Sequence, residues 1–165
     1  MKRLVTLLLL LPCFVFSQNM NNEKLETIYT SVSDSIQGHT GAWQFYIKGI
    51  PILSITDENH NRMRIMSPIA NSNSLSDEHL KASLVANFHT VLDVKYAVSD
   101  GVLWSVFIHP LKELSNNQVE DAVSQVYFAN VNFGTTFTST SLIFPGKITD
   151  KKDVQVDEKP NFKKL

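Results

Sequence analysis

Leu25, Ile28, Tyr29, Val32 and Ile36 recur at i, i+3, i+4, i+7 and i+11, the spacing that lines one face of an α-helix. Gly38 stops the pattern, so a first helix is predicted from about Asn22 to Gln37. From Ala42 the period drops to two: Trp43, Phe45 and Ile47 alternate with Gln44, Tyr46 and Lys48, and Gly49 marks a turn before Ile52, Leu53 and Ile55. The polar cluster Asp57-Glu58-Asn59-His60-Asn61 is a second turn, after which Arg62 to Ile69 alternates again, with Met63, Ile65 and Ser67 on one side. Three successive strands of this kind form an antiparallel meander.

A second helix is predicted after Ser76, a good N-cap, with Asp77 and Glu78 in the first turn, where the helix dipole favours negative charge. Its apolar stripe is Leu80, Leu84, Val85, Phe88 and Leu92. Val94, Tyr96 and Val98 form a strand, Asp100-Gly101 is a hairpin turn, and Val102, Trp104, Val106 and Ile108 answer on the returning strand, which Pro110 ends. Ser115 with Gln118 reads as a capping box for a third helix, whose inner face is Val119, Ala122, Val123, Val126, Asn130 and Phe133 and whose stop is Gly134. The predicted order αβββαββα describes a single α+β domain with a five-stranded antiparallel sheet packed with helices.

Composition separates three unlike parts. Lys2 and Arg3 precede an apolar stretch from Leu4 to Phe16, 13 residues long, against the roughly 20 that span a bilayer. Val15 and Ser17 are small residues at the −3 and −1 positions of a cleavage site, so residues 1–17 are expected to be a cleaved signal peptide and the protein to be exported, periplasmic or secreted. A lipoprotein leader is the rival reading, because Cys13 follows Leu10-Leu11-Pro12, but Pro12 is not the small residue such leaders place there. No integral membrane segment is expected after cleavage. The only cysteine of the 165 residues, Cys13, leaves with the leader, so stability must come from a packed core rather than a disulfide.

Residues 18–144 carry 7 basic and 12 acidic side chains, and residues 145–165 carry 6 and 4. An acidic domain has no excess of cations to displace counterions from a phosphate backbone, which argues against nucleic acid as a partner. The domain is expected over residues 18–134, followed by a Thr/Ser-rich and then charged tail, 135–165, read as a mobile extension. Within it Leu142-Ile143-Phe144 is an isolated apolar patch that could add an edge strand.

Several strings in this order resemble the YbjN-like family, whose fold is that of the type III secretion (Tir-type) chaperones: Ala42-Trp43-Gln44-Phe45-Tyr46, Ala86-Asn87-Phe88, Asp93-Val94-Lys95-Tyr96-Ala97, and Gly101-Val102-Leu103-Trp104 running on to His109-Pro110-Leu111. They span about residues 22–134. The resemblance implies a small non-enzymatic module without cofactor that often pairs as a homodimer and binds protein segments, with a sensory or stress-regulatory role in the YbjN branch. Secretion chaperones work in the cytosol, so beside an export leader the resemblance carries over fold and binding habit rather than effector chaperoning.

Candidate chemistry is sparse. His39, His60, His79, His89 and His109 fall in different elements or out of phase, and no pair has the i, i+4 spacing of a helical metal site, so no metal is expected. Asp93, Asn87 and His109 are the nearest approach to an acid/base set, and a small hydrolase or isomerase using His109 and Asp93 is the alternative to binding. Both Asn87 and Asp93 also suit a structural role, bonding backbone where the second helix feeds the fourth strand.

The sheet offers more. If Trp43, Phe45, Ile47, Val94, Tyr96, Val98, Val102, Trp104, Val106 and Ile108 face the helices, the other face presents Tyr46, Ala97, Leu103 and Phe107 inside a border of Gln44, Lys48, Lys95 and Ser105. An apolar centre with a polar rim is the layout of a modest protein interface, and these four are the candidate binding residues for a protein or peptide partner or a second copy. Cover by the protein's own C-terminal segment or third helix is the other reading. The parity of the third strand stays open, since Met63/Ile65 and Arg64/Met66 both offer apolar side chains.

Overall fold

The computed structural model describes residues 19–140. Helix α1 (Asn22–Val32) is followed by four strands, β1 (Ser35–His39), β2 (Ala42–Ile47), β3 (Ile50–Asp57) and β4 (Arg62–Asn71). Then come α2 (Asp77–His89), β5 (Lys95–Ser99), β6 (Val102–His109) and α3 (Asn116–Val131). The strands make one antiparallel sheet of order β1-β2-β3-β4-β6-β5. The α+β class therefore stands, with six strands where five were expected.

The additional strand comes from the residues assigned to the end of the first helix. Ser31 and Ser33 hydroxyls donate to the Ile28 and Tyr29 carbonyls at 2.7 and 2.6 Å, ending α1 at Val32. The Asp34 N–H then donates to Tyr46 O at 2.8 Å, and the Asp34 carboxylate accepts the Lys48 N–H at 2.6 Å, which starts the chain along β2. Ile36 satisfies the helical spacing but pairs with Phe45 and packs on the core. Gly38, expected as a helix stop, lies inside β1 at φ +126, where a Cβ would overlap the Ala42 carbonyl oxygen.

The core lies between one face of the sheet and helices α1 and α3. Trp43, Phe45, Ile52, Met63, Ile65, Leu103 and Phe107 from the sheet meet Leu25, Ile28 and Tyr29 of α1 and Val119, Val123 and Val126 of α3. Three buried serines share that face. Ser54 Oγ bonds Tyr29 Oη at 2.8 Å, Ser67 Oγ accepts from Asn130 Nδ2 at 2.8 Å, and Ser105 Oγ donates to Val126 O at 3.0 Å. Small side chains here let the helices approach, and each hydroxyl finds the partner that burial demands. Ser115 and Gln118 form the expected capping box of α3, and Ser76 caps α2.

Helix α2 departs from the pattern. Its buried residues are Ser83 and Ala86, whereas Leu84, Val85 and Phe88 of the expected inner stripe are 70%, 53% and 85% exposed. The helix lies beside edge strand β5, and the short Asn87 side chain reaches the Tyr96 backbone, accepting its N–H at 2.7 Å and donating to its carbonyl at 3.1 Å. An approach that close admits only small residues on the facing side. Asn87 thus supplies the pairing that a neighbouring strand would give, blunting a free sheet edge.

Residues 135–140, expected to begin the tail, belong to the domain. Thr90 Oγ1 donates to Phe137 O at 2.5 Å, Leu92 N–H donates to Ser139 Oγ at 3.0 Å, and the Phe137 ring packs edge-on against Phe133 and Tyr96. The rest of the expected tail, with Leu142–Phe144, and the expected signal peptide lie outside the described residues.

Candidate functional site

Each hairpin of the sheet sets which residues share a face. The Asp100-Gly101 turn pairs Ser99 with Val102, so partners on β5 and β6 have opposite parity: Tyr96 lies across from Ser105 and Ala97 across from Trp104. The expectation that even-numbered residues of both strands face the helices is corrected by that register. Leu103 and Phe107 are buried under the helices at 1% and 5% exposure, while Tyr46 and Ala97 stand on the opposite face. The four candidate binding residues are therefore split two and two, with α3 covering the Leu103 side through the Ser105 bond. Trp104, Val106 and Ile108, assigned to the interior, take the open face instead.

That face is built from cross-strand rows. One runs Tyr46, Pro51, then Pro68, Trp104, Ala97; the next Gln44, Leu53, Met66, Val106, Lys95; the third Ala42, Ile55, Arg64, Ile108. Among the described residues the helices lie on the other face or at the β5 edge, and Ile55 and Ile108 are 48% and 60% exposed. Two depressions meet at Ile55. One, of about 460 Å3, is lined by Ile55, Asp57, Arg62, Arg64 and Ile108, and the other, of about 400 Å3, by Gln37, His39, Ala42, Gln44 and Leu53. Both arginines of residues 18–144, Arg62 and Arg64, stand here in a domain whose acidic side chains outnumber its basic ones.

At the far end, His60 donates its backbone N–H to Asp57 at 3.0 Å and pairs with it through Nδ1 at 2.7 Å. Those bonds hold the Asp57 carboxyl below its ordinary pKa, the backbone bond contributing most. Asp57 is thereby engaged with the turn, and the arginines face outward.

The acid/base candidates fall elsewhere. Asp93 and His109 both line a cleft of about 400 Å3 between the end of the sheet and α3, with Lys95, Phe107, Asp121 and Gln125. Each is already engaged. Gln125, buried, accepts the Asp93 N–H at 3.1 Å and donates to Asp93 Oδ2 at 3.3 Å and Asp121 Oδ2 at 2.6 Å. The His109 ring lies parallel to Phe107 with Nδ1 2.7 Å from its neighbour's carbonyl, Pro110 O, so that nitrogen is the donor. Lys95 Nζ bonds the Leu92 and Val94 carbonyls; partial burial pulls its pKa down, and Asp93 acts against that. The lining carries no hydroxyl or thiol nucleophile, and Asn87 is spent on β5.

The open face was partly legible: a two-residue Asp100-Gly101 turn inverts parity between its strands, and applying that rule to β5 and β6 brings out Trp104, Val106 and Ile108. Leu53 and Met66 needed the β3–β4 register, which the longer turn between them does not set. Among the described residues no group of three His, Cys, Asp or Glu could hold a metal ion, and no helix is long and apolar enough to cross a membrane. No family model matches this chain, and neither does any curated protein.

Proposed function

We propose that this domain is a non-catalytic binding module, exported by its leader, that holds a protein or peptide partner on the open sheet face. The carrying observation is the pair of depressions meeting at Ile55: the first holds Ile55, Met63 and Ile108 beside Arg62 and Arg64, and the second holds Ala42, Trp43 and Leu53 beside Gln37 and Gln44. A partner that fits them has an apolar side chain with a carboxylate a residue or two away, so that burial and charge-assisted hydrogen bonds act together. A contiguous apolar face with a charged border is the surface expected of an interaction site. Kinship with the YbjN-like family belongs to the same proposal: without β1 the element order is αβββαββα.

Selection of peptides from a random display library on the purified mature protein tests it. The expected winners combine an apolar residue with Asp or Glu, Arg62→Glu with Arg64→Glu removes the acidic preference, and Ile55→Glu abolishes enrichment while leaving the thermal unfolding curve in place. No enrichment, or equal enrichment on Ile55→Glu, would overturn the proposal. Loss of a dimer in Ile55→Glu by sedimentation would instead identify a second copy as the occupant.

Hydrolase or isomerase chemistry through His109 and Asp93 has one observation in its favour, their presence in one cleft. His109→Gln and Asp93→Asn, each leaving the peptide selection unchanged but abolishing hydrolysis of a chromogenic ester panel, would be its signature.

A further inference from the structure

Strand β1 forms one edge of the sheet and β5 the other. The β5 edge is taken up by Asn87 of α2, which bonds the Tyr96 backbone. No such bond reaches β1 among the described residues: Ser35, Gln37, Gly38 and His39 are exposed, and Ile36 is half-buried. The strand Ser-Ile-Gln-Gly-His also carries none of the lysines or prolines that protect a free edge.

The alternation of hydrogen bonds decides which backbone groups of β1 face outward. Thr56 N–H donates to Gly41 O at 2.9 Å, so Gly41, Trp43 and Phe45 bond β3, while Ala42, Gln44 and Tyr46 turn to β1. Their partners His39, Gln37 and Ser35 bond inward, which leaves the N–H and C=O of Ile36 and Gly38 pointing away from the sheet.

We infer that this edge pairs with β1 of a second copy, antiparallel about a twofold axis at Gln37. In that register Ile36 lies opposite the second copy's Gly38 and Gly38 opposite its Ile36, so each outward N–H of one strand meets an outward C=O of the other. A shift of two residues one way sets Gly38 opposite Asp34, whose N–H already bonds Tyr46 O, and the other way sets Ile36 opposite Thr40 in the turn. The side chains agree with the central register. Ile36 stands beside Phe45 on the helix side, and the second copy's Gly38, without a side chain, leaves it room. On the open face Gln37 meets its own copy, Ser35 meets His39 and Asp34 falls opposite Thr40, so no like charges meet. The joined sheet carries both open faces on one side, and the depressions lined by Gln37 and His39 become neighbours across the axis. One strand is a small interface, so this dimer forms as concentration rises.

Gln37→Cys provides the test, because facing residues of a wide antiparallel pair stand about 4.5 Å apart at Cα, within disulfide range. Residues 18–165 hold no cysteine of their own. Under mild oxidation the mature protein with Gln37→Cys should bridge between copies, and Gln44→Cys, one strand further in, should not. Equal bridging by the two, or none by Gln37→Cys, would overturn the inference. Sedimentation gives a second reading: Gln37→Lys and Gln37→Glu should each weaken self-association by about fivefold by setting like charges opposite, and an equimolar mixture of the two should restore it. Monomer at every concentration, or a mixture no tighter than its components, would count against pairing along β1. Ile55→Glu should leave this dimer intact; its loss there would move the contact to the open sheet face and likewise overturn the edge pairing.

Discussion

On strand β6 the residues beneath the helices are Leu103, Ser105, Phe107 and His109, while those on the open face are Val102, Trp104, Val106 and Ile108. By hydropathy alone the second set belongs inside. The helices cover the other side of β6 because its neighbours put Trp43, Phe45, Ile52, Met63 and Ile65 on that face, and because Ser54, Ser67 and Ser105 leave room for close approach and supply hydrogen-bond partners that α1 and α3 can use. Each such bond adds on the order of 1 kcal/mol, and the closer contact adds dispersion along the whole interface. Neighbouring strands, shape and polar satisfaction thus decide which side of β6 is covered, and the more apolar side of that strand is left for the proposed partner.

The two faces should respond differently to substitution, and the largest contrast is in packing. Phe45→Ala removes a fully buried ring that stacks on Tyr29 at 4.6 Å and should cost about 3–5 kcal/mol in urea unfolding. A loss under about 1 kcal/mol would mean the covered face is not the main core. Ser105→Val adds bulk and deletes the bond to Val126 O, and should cost about 1–3 kcal/mol even though it raises hydrophobicity. If it stabilised the protein, the small buried serines would not be what admits the helices to this face.

A pH effect separates the faces next. Burial raises the pKa of the Tyr29 hydroxyl, as it does that of Tyr96, so both stay protonated in the folded state. Their contribution is fully present below the ordinary tyrosine pKa of about 10 and is lost as pH rises above it, because the unfolded chain releases the protons first. Chemical denaturation from pH 8 to pH 11 should show stability falling above about pH 10, and Tyr29→Phe should flatten that fall. The smallest effect belongs to the open face: Val106→Glu should change stability by less than about 1 kcal/mol while abolishing peptide enrichment. A loss as large as that of Phe45→Ala would show that the face is covered in the folded protein.

Local signals carried much of the architecture. Ser76 and the Ser115–Gln118 capping box start their helices because a side-chain oxygen beside free N–H groups works without distant contacts. Asp100-Gly101 makes its turn for the same kind of reason, since Asp100 and Gly101 take φ of 51 and 76 within the hairpin itself. Alternation likewise located β2, β4 and β6. Long-range geometry settled the rest. Ile36 fits a helix and a strand equally, and pairing with Phe45 selects the strand. Leu84 and Phe88 form a good apolar stripe, yet Asn87 must reach the Tyr96 backbone, and that contact turns the stripe outward. Periodicity reports that an element has two faces. It is silent on which one a distant helix will cover, because that depends on register and on the room left by small side chains such as Ser67 and Ser105.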